Sequence, residues 1–230
     1  MPRNAIRFQC NDAAIIVISM RIRPKALIFD YGNVLCRPQQ PEEIEAMAAF
    51  FNVPADRFLS VYWPYRVPFD KADLSPAAYW NQVAVDLGQT LADGQIEDLI
   101  ELDNRSWAHP DRMVIAWAGD LRAAGIRTAI LSNMPITLRQ YLDSCCPWLP
   151  QFDQRTFSCD IRSCKPNPEI YRYTLQGLGV DPPEALFLDD REDNVRAAQE
   201  LGIHAILFQN VEQAQGELES RFQIPVPLRG

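Results

Sequence analysis

Lys25-Ala-Leu-Ile-Phe-Asp30-Tyr-Gly-Asn-Val-Leu35 is the stretch on which the reading of this chain turns. Ala26 to Phe29 is a short apolar run ending in one carboxylate, Asp30, with Gly32 two residues beyond. Continuous apolar runs of this length predict a buried parallel strand, and the glycine predicts that its carboxyl end opens into a tight loop. In open α/β sheets, ligands bind at that end of the strands. A carboxylate placed there can act as a nucleophile or a metal ligand, and equally as a turn former or helix cap. Three later stretches favour the chemical reading: Ser132-Asn133 after the run Thr128–Leu131, Lys165 ahead of a helix opened by Asn167-Pro168, and Asp189-Asp190 after the run Ala185–Leu188. Each also has an ordinary counterpart, as a turn, a solvated loop lysine and a helix cap respectively.

Between the first strand and residue 108 the pattern is helical. Pro41–Phe51 carries Ile44, Met47, Ala48 and Phe51 at helical spacing, with Asn52 at its end. Pro54–Ser60 predicts a second short helix, and 61–70, rich in proline and aromatics, an irregular packed loop. Ser75 caps a helix with Pro76 in its first turn, lined by Tyr79, Trp80, Val83 and Leu87 and stopped by Gly88. A further helix is expected over Asp93–Leu102. With no strand signal, the segment predicts a helical insertion over the mouth of the sheet.

From Asp111 helices and strands alternate. Val114, Trp117, Leu121 and Ala124 form a stripe ending at Gly125, followed by the strand at Thr128–Leu131 and a short strand at 156–158. A helix lined by Ile170, Thr174, Leu175 and Leu178 ends at Gly179; the strand at Ala185–Leu188, a helix over Asn194–Leu201 and a last strand at Ala205–Phe208 follow. Repeated βα units predict a parallel sheet with helices on both faces. The expected organisation is an extension over 1–19, a core over 20–37 and 109–215, a cap over 38–108 and a tail over 216–230, loose and Pro-rich from Ile224.

Of the 230 residues, 47% are apolar and 23% charged, an ordinary globular balance. A net charge of −8 argues against a nucleic-acid or anionic-membrane surface, though not against an anionic substrate held in a locally positive pocket. No run approaches the ~18 apolar residues of a membrane helix. The six cysteines show no paired metal-ligand spacing and predict reduced thiols and a cytoplasmic location. Cys164 has no histidine placed to activate it, and His109 and His204 are assigned to structure.

Taken together, "FDYGNVL", "LSN", "KPNPEIY" and "FLDDREDNVRAAQELGI" resemble, in order and spacing, the four motifs of the haloacid dehalogenase-like (HAD) superfamily of hydrolases, over about residues 22–210. The resemblance is to the branch with a small α-helical cap inserted in a Rossmann-like core, including sugar-phosphate phosphatases with an FDxGNV first motif. It implies that Asp30 is the nucleophile and that Asp30, the carbonyl of Gly32 and Asp190 bind Mg²⁺. It implies that Ser132 and Asn133 hold phosphate, that Lys165 neutralises charge on the transferring group, and that Asp189 orients Lys165 or water. Asn194, where many relatives carry another acid, is expected to brace the loop.

One departure stands out. HAD phosphatases usually carry a second aspartate two residues after the nucleophile, as general acid and base, and this chain has Gly32 there. Proton transfer by such a group is worth ~10²–10⁴-fold. The dehalogenase branch lacks that aspartate too, but it is metal-independent and replaces the acidic pair that this chain keeps as Asp189-Asp190. The expectation is therefore a Mg²⁺-dependent phosphohydrolase for a small phosphorylated metabolite, a sugar phosphate or similar monoester, working as a monomer or homodimer. The alternatives are a 2-haloacid dehalogenase-type hydrolase and a catalytically weak binding or regulatory protein. Tyr62, Trp63, Tyr65 and Arg66 are the candidate substrate contacts of the cap.

Overall fold

The structure, a computed structural model, describes residues 23–222; the expected extension over 1–19 and the end of the chain from Ile224 lie outside them. Five strands, β1 (Ala26–Phe29), β2 (Arg127–Ser132), β3 (Gln154–Phe157), β4 (Ala185–Asp189) and β5 (His204–Leu207), form one parallel sheet in the order β3-β2-β1-β4-β5. The chain builds outward from β1 to one edge, then returns to add β4 and β5 on the other side. The reversal between β1 and β4 is the switch point at which such sheets bind ligands. Phe29 is level with both Ile130 and Leu188, so Asp30 and Asp189 leave neighbouring strands at one height.

Helices α1 (Pro41–Phe50), α2 (Ala55–Tyr62), α3 (Arg66–Asp70), α4 (Pro76–Asp86) and α5 (Gln95–Ser106) follow β1. The later helices are α6 (Arg112–Ala123), α7 (Ile136–Cys145), α8 (Ser158–Ile161), α9 (Pro168–Leu178), α10 (Glu192–Glu200) and α11 (Val211–Phe222). Side chains alternate across β1. Leu27 and Phe29 join Trp117, Leu121, Leu142 and Leu218 on the face covered by α6, α7 and α11. Ala26 and Ile28 join Ile170, Leu175 and Ala198 on the face covered by α9 and α10. Helices α1–α5 enclose their own apolar centre of Phe51, Phe58, Tyr62, Phe69, Tyr79, Trp80 and Leu99. This is the inserted helical unit on a Rossmann-like α/β sheet.

Several elements differ from expectation. The irregular loop over 61–70 is mostly helix: α2 runs on to Tyr62 and α3 begins at Arg66. Pro68 is tolerated because it lies in the first turn of α3, where backbone N–H groups have no helical acceptor. Helix α5 starts two residues later than expected, behind Gly94 at φ 84°, and runs four residues further. Its last turn faces inward with Asp103, Asn104 and Ser106, buried polar residues that hide the apolar stripe. Helix α7 escapes a periodicity reading because only Leu138 and Leu142 are buried along it. The tail expected from 216 is helical as far as Phe222, because Val211, Ala214, Leu218 and Phe222 continue one stripe into the core. Among the described residues no helix is long and apolar enough to cross a membrane.

Polar contacts fasten the helical unit to the sheet. The Ser158 hydroxyl, just past β3, donates to the Asp70 carbonyl (2.6 Å) and accepts the Met134 N–H (2.9 Å). Arg162 reaches Asp73 (2.7 Å) and the carbonyl of Ala72 (3.2 Å). His109, in the return linker, pairs with Glu43 of α1 at 2.6 Å.

Candidate active site

Strand β1 delivers Asp30 to the carboxyl edge, and the Asp30 N–H still bonds the Leu188 carbonyl (2.9 Å), so the residue is held by the sheet. The loop beyond closes at once: the Cys36 N–H bonds the Tyr31 carbonyl at 2.7 Å. Asn33 takes a left-handed conformation (φ 57°), for which asparagine pays less than most residues. From there its Nδ2 donates to Asp190 Oδ2 at 2.8 Å. Tyr31 turns away from the edge. Its hydroxyl donates to the Trp107 carbonyl (2.7 Å) and its ring stacks on Trp148.

Lys165 is the centre of the charge arrangement. Its Nζ lies 2.7 Å from Asp30 Oδ1 and 2.7 Å from Asp189 Oδ2. Its backbone is fixed by Asn133, whose Oδ1 accepts the Lys165 N–H (2.8 Å) and whose Nδ2 donates to the Lys165 carbonyl (3.0 Å). Asp189 is held from the other side by Asn194 Nδ2, at 2.9 and 3.1 Å, and by the Arg191 N–H at 2.9 Å. The Tyr171 hydroxyl in turn donates to the Asn194 carbonyl. Burial opposes the lysine charge, yet Asp189 and Asp30 hold Lys165 above its ordinary value. Burial raises Asp30 against the pull of Lys165, and Asp189 and Asp190 push it the same way. Asp190 is likewise raised, by burial first, with its bond from Asn33 working in opposition.

Oxygens of Asp30, Asp189 and Asp190 lie within 4.8 Å of one another. Three carboxylates share the Lys165 ammonium, and burial first, with mutual repulsion adding to it, raises Asp30 and Asp190. A hard divalent cation with oxygen ligands fits this donor set. The three carboxylates are not equivalent. Both oxygens of Asp189 already accept hydrogen bonds, whereas Asp30 takes its contacts, from the Tyr31 N–H (2.6 Å) and Lys165, on Oδ1. Asp30 and Asp190 are therefore the carboxylates with capacity to spare.

The structure thus brings Asp30, Lys165, Asp189, Asp190 and Asn194 together, with Ser132 buried at the end of the adjacent strand β2 and Gly32 in the loop after Asp30. The cap candidates divide. Tyr62 and Arg66 are buried inside the helical unit, where the Tyr62 hydroxyl donates to Asp103 (2.6 Å) and Arg66 pairs with Asp103 (2.9 Å). They cannot reach a substrate there. Tyr65 bonds Asp86 (2.8 Å), and Trp63 alone of the four is strongly exposed. Cys164 is buried, with burial pushing its thiol up to about 11, so it is no nucleophile. Sequence reasoning missed Asn33, the side-chain clamp of Asn133 and Trp107. The "GN" following Asp30 was the only signal for the first.

Comparison with known proteins agrees with this fold. A family model described as haloacid dehalogenase-like hydrolase matches residues 24–202. Acyl-CoA dehydrogenase family member 10 of Mus musculus is 40% identical over 112 residues, 47% of this chain but 10% of that protein, so this chain spans only a small part of that relative's length. Flavin mononucleotide hydrolase 1 of Arabidopsis thaliana is 27% identical over 203 residues, covering 87% of this chain and 79% of that one. Among solved structures, a HAD family enzyme of Bacteroides thetaiotaomicron, in complex with magnesium and inorganic phosphate, shares the fold at TM-score 0.65 and 24% identity, over 81% of this chain and 94% of that one. With the match running from the strand before Asp30 through the helix after Asp190, the chain belongs to the haloacid dehalogenase-like hydrolases.

Proposed function

We propose that this hydrolase is a Mg²⁺-dependent phosphohydrolase acting on a small phosphorylated metabolite, a sugar phosphate or similar monoester, through an aspartyl-phosphate on Asp30. The observation that carries the reading is the buried triad Asp30–Lys165–Asp189, with Asp190 beside it and Lys165 the one ammonium among the described residues that pairs with these carboxylates. Asp30, Asp190 and the carbonyl of Gly32 would hold the ion. When bound, it supplies positive charge against the phosphoryl oxygens.

The rest falls to the chain's own residues. An Asp30 oxygen attacks phosphorus and the bond to the leaving oxygen breaks, with water protonating the alkoxide because Gly32 supplies no acid. Water then attacks phosphorus, releases inorganic phosphate and returns Asp30 as a carboxylate. Dividing the displacement in two is the contribution of nucleophilic catalysis. Lys165 offsets charge between nucleophile and phosphoryl group, while Ser132 and the amide of Asn133 hold a phosphoryl oxygen. Asp189 and Asn194 keep Lys165 in place. The helical unit over 38–108 acts as a cap that shields the site and sets specificity.

The likeness to a flavin mononucleotide hydrolase over most of both chains supports phosphomonoester chemistry. The five described cysteines are all free, which supports a cytoplasmic location. The test is phosphate release from an activated aryl phosphate with Mg²⁺, with EDTA, and by Asp30→Asn. Turnover that requires both the metal and Asp30 is expected. Halide release from 2-haloacids without metal, in place of phosphate release, would establish the dehalogenase reaction instead.

A further inference from the structure

Position 32 lacks a side chain, and the structure shows what takes its space. A Cβ built on Gly32 would meet Trp107 Cζ3 at 3.4 Å, an ordinary contact for a methyl group that leaves no room beyond it in that direction. The indole beside the nucleophile's loop therefore comes from the end of the cap. It is fixed on both sides. Trp107 Nε1 donates to the Tyr62 hydroxyl (3.2 Å), and its carbonyl accepts from Tyr31 (2.7 Å) and the Cys36 thiol (3.1 Å).

A second aromatic stands against the first. Trp63, at the corner between α2 and α3, meets Trp107 edge-on at 6.4 Å between ring centroids, yet is 49% exposed. One turn on, Val67 is 58% exposed while its carbonyl accepts from the thiol of Cys164, the residue before Lys165. The corner is thus tied at one end to the loop of Asp30 and at the other to the loop of Lys165. Two apolar side chains of this corner, Trp63 and Val67, are exposed. The cations of this corner are already committed, Arg66 to Asp103 and Asp70, Lys71 to Asp73. An exposed large apolar surface beside a catalytic edge calls for an apolar occupant.

We infer that Trp107 and Trp63 form an aromatic wall for the leaving group, and that the preferred substrate is a monoester whose leaving group carries a flat ring rather than a second phosphate or a bare polyol. The inference rests on the phosphohydrolase reading and narrows its substrate. Ring-on-ring contact favours such a group by stacking or edge-to-face packing.

The test measures binding and turnover separately. In the Asp30→Asn background, naphthyl phosphate should bind about 10-fold more tightly than a hexose phosphate by calorimetry, and Trp63→Ala should remove most of that difference while Trp63→Phe retains it. In the active enzyme, Trp63→Ala should raise KM for naphthyl phosphate about 10-fold and leave the hexose phosphate unchanged. Equal binding of the two esters, or equal loss of both in Trp63→Ala, would overturn the inference. Tight, Trp63-dependent binding of naphthyl phosphate without hydrolysis of any monoester would uphold the wall and sink the phosphohydrolase reading instead.

Discussion

The Lys165 ammonium lies 2.7 Å from Asp30 Oδ1 in a side chain that is 1% exposed. A buried charge of this kind is tolerable only because a partner meets it, and here Asp189 meets it as well. Removing the lysine leaves two carboxylates facing each other in a dry site. Lys165→Met should cost ~3–5 kcal/mol of stability at neutral pH and at least ~10²-fold in turnover. Lys165→Arg should not restore activity, because a planar fork cannot replace a compact ammonium between two oxygens. Denaturant melts and steady-state assays on the two variants check both statements; full activity in Lys165→Arg would contradict them.

Gly32 is tested by size. Gly32→Ala should fold with wild-type stability, its methyl resting on Trp107 Cζ3. Gly32→Asp should lose ~1–3 kcal/mol by forcing the indole aside, and the same substitution should lose less when made in a Trp107→Ala background. A thermal melt of the four proteins decides. Equal stability of Gly32→Ala and Gly32→Asp would show that the indole does not bound this space.

Asp70 gives a pH signature away from the carboxylates of the candidate site. Burial raises its carboxyl from 3.8 to about 6, outweighing Arg66 at 3.4 Å, with Asp103 adding to the rise. The folded chain therefore binds this proton more tightly than the unfolded one, and the group's contribution favours folding at low pH and is lost as pH rises through about 4 to 6. Asp70→Asn should stabilise the protein by ~1–3 kcal/mol at pH 7, with the gain fading as pH falls through about 6 to 4. A gain that stays constant over that range would show that the carboxyl is not shifted.

Much of the fold was legible because it is written in runs and stops. The apolar stretches at 26–29, 128–131 and 185–188 are buried strands, and Gly125, Gly179 and Gly202 follow helices in left-handed conformations. Asp30, Ser132 and Asp189 were legible for the same reason, because a parallel strand has to release its last side chain at the ligand edge, whereas Lys165 lies in the loop before α9 and was marked only by the Pro-rich helix start that follows it. What stayed hidden depends on burial that local pattern does not reveal. Asp103 and Arg66 look like surface residues and are the cap's interior, so the end of α5 and the helix over 66–70 went unread. Trp107 looks like one more core aromatic, and only the folded chain brings it against Gly32, 75 positions away in sequence.

The central claim is that Asp30 carries the phosphoryl group. Acid quench of the enzyme during turnover of an aryl phosphate with Mg²⁺, followed by mass spectrometry of the peptide containing Asp30, tests it most directly. One phosphoryl group on that aspartate is expected with the metal present and none with EDTA. Steady phosphate release from an enzyme that never carries phosphate on Asp30, undiminished in Asp30→Asn, would contradict it.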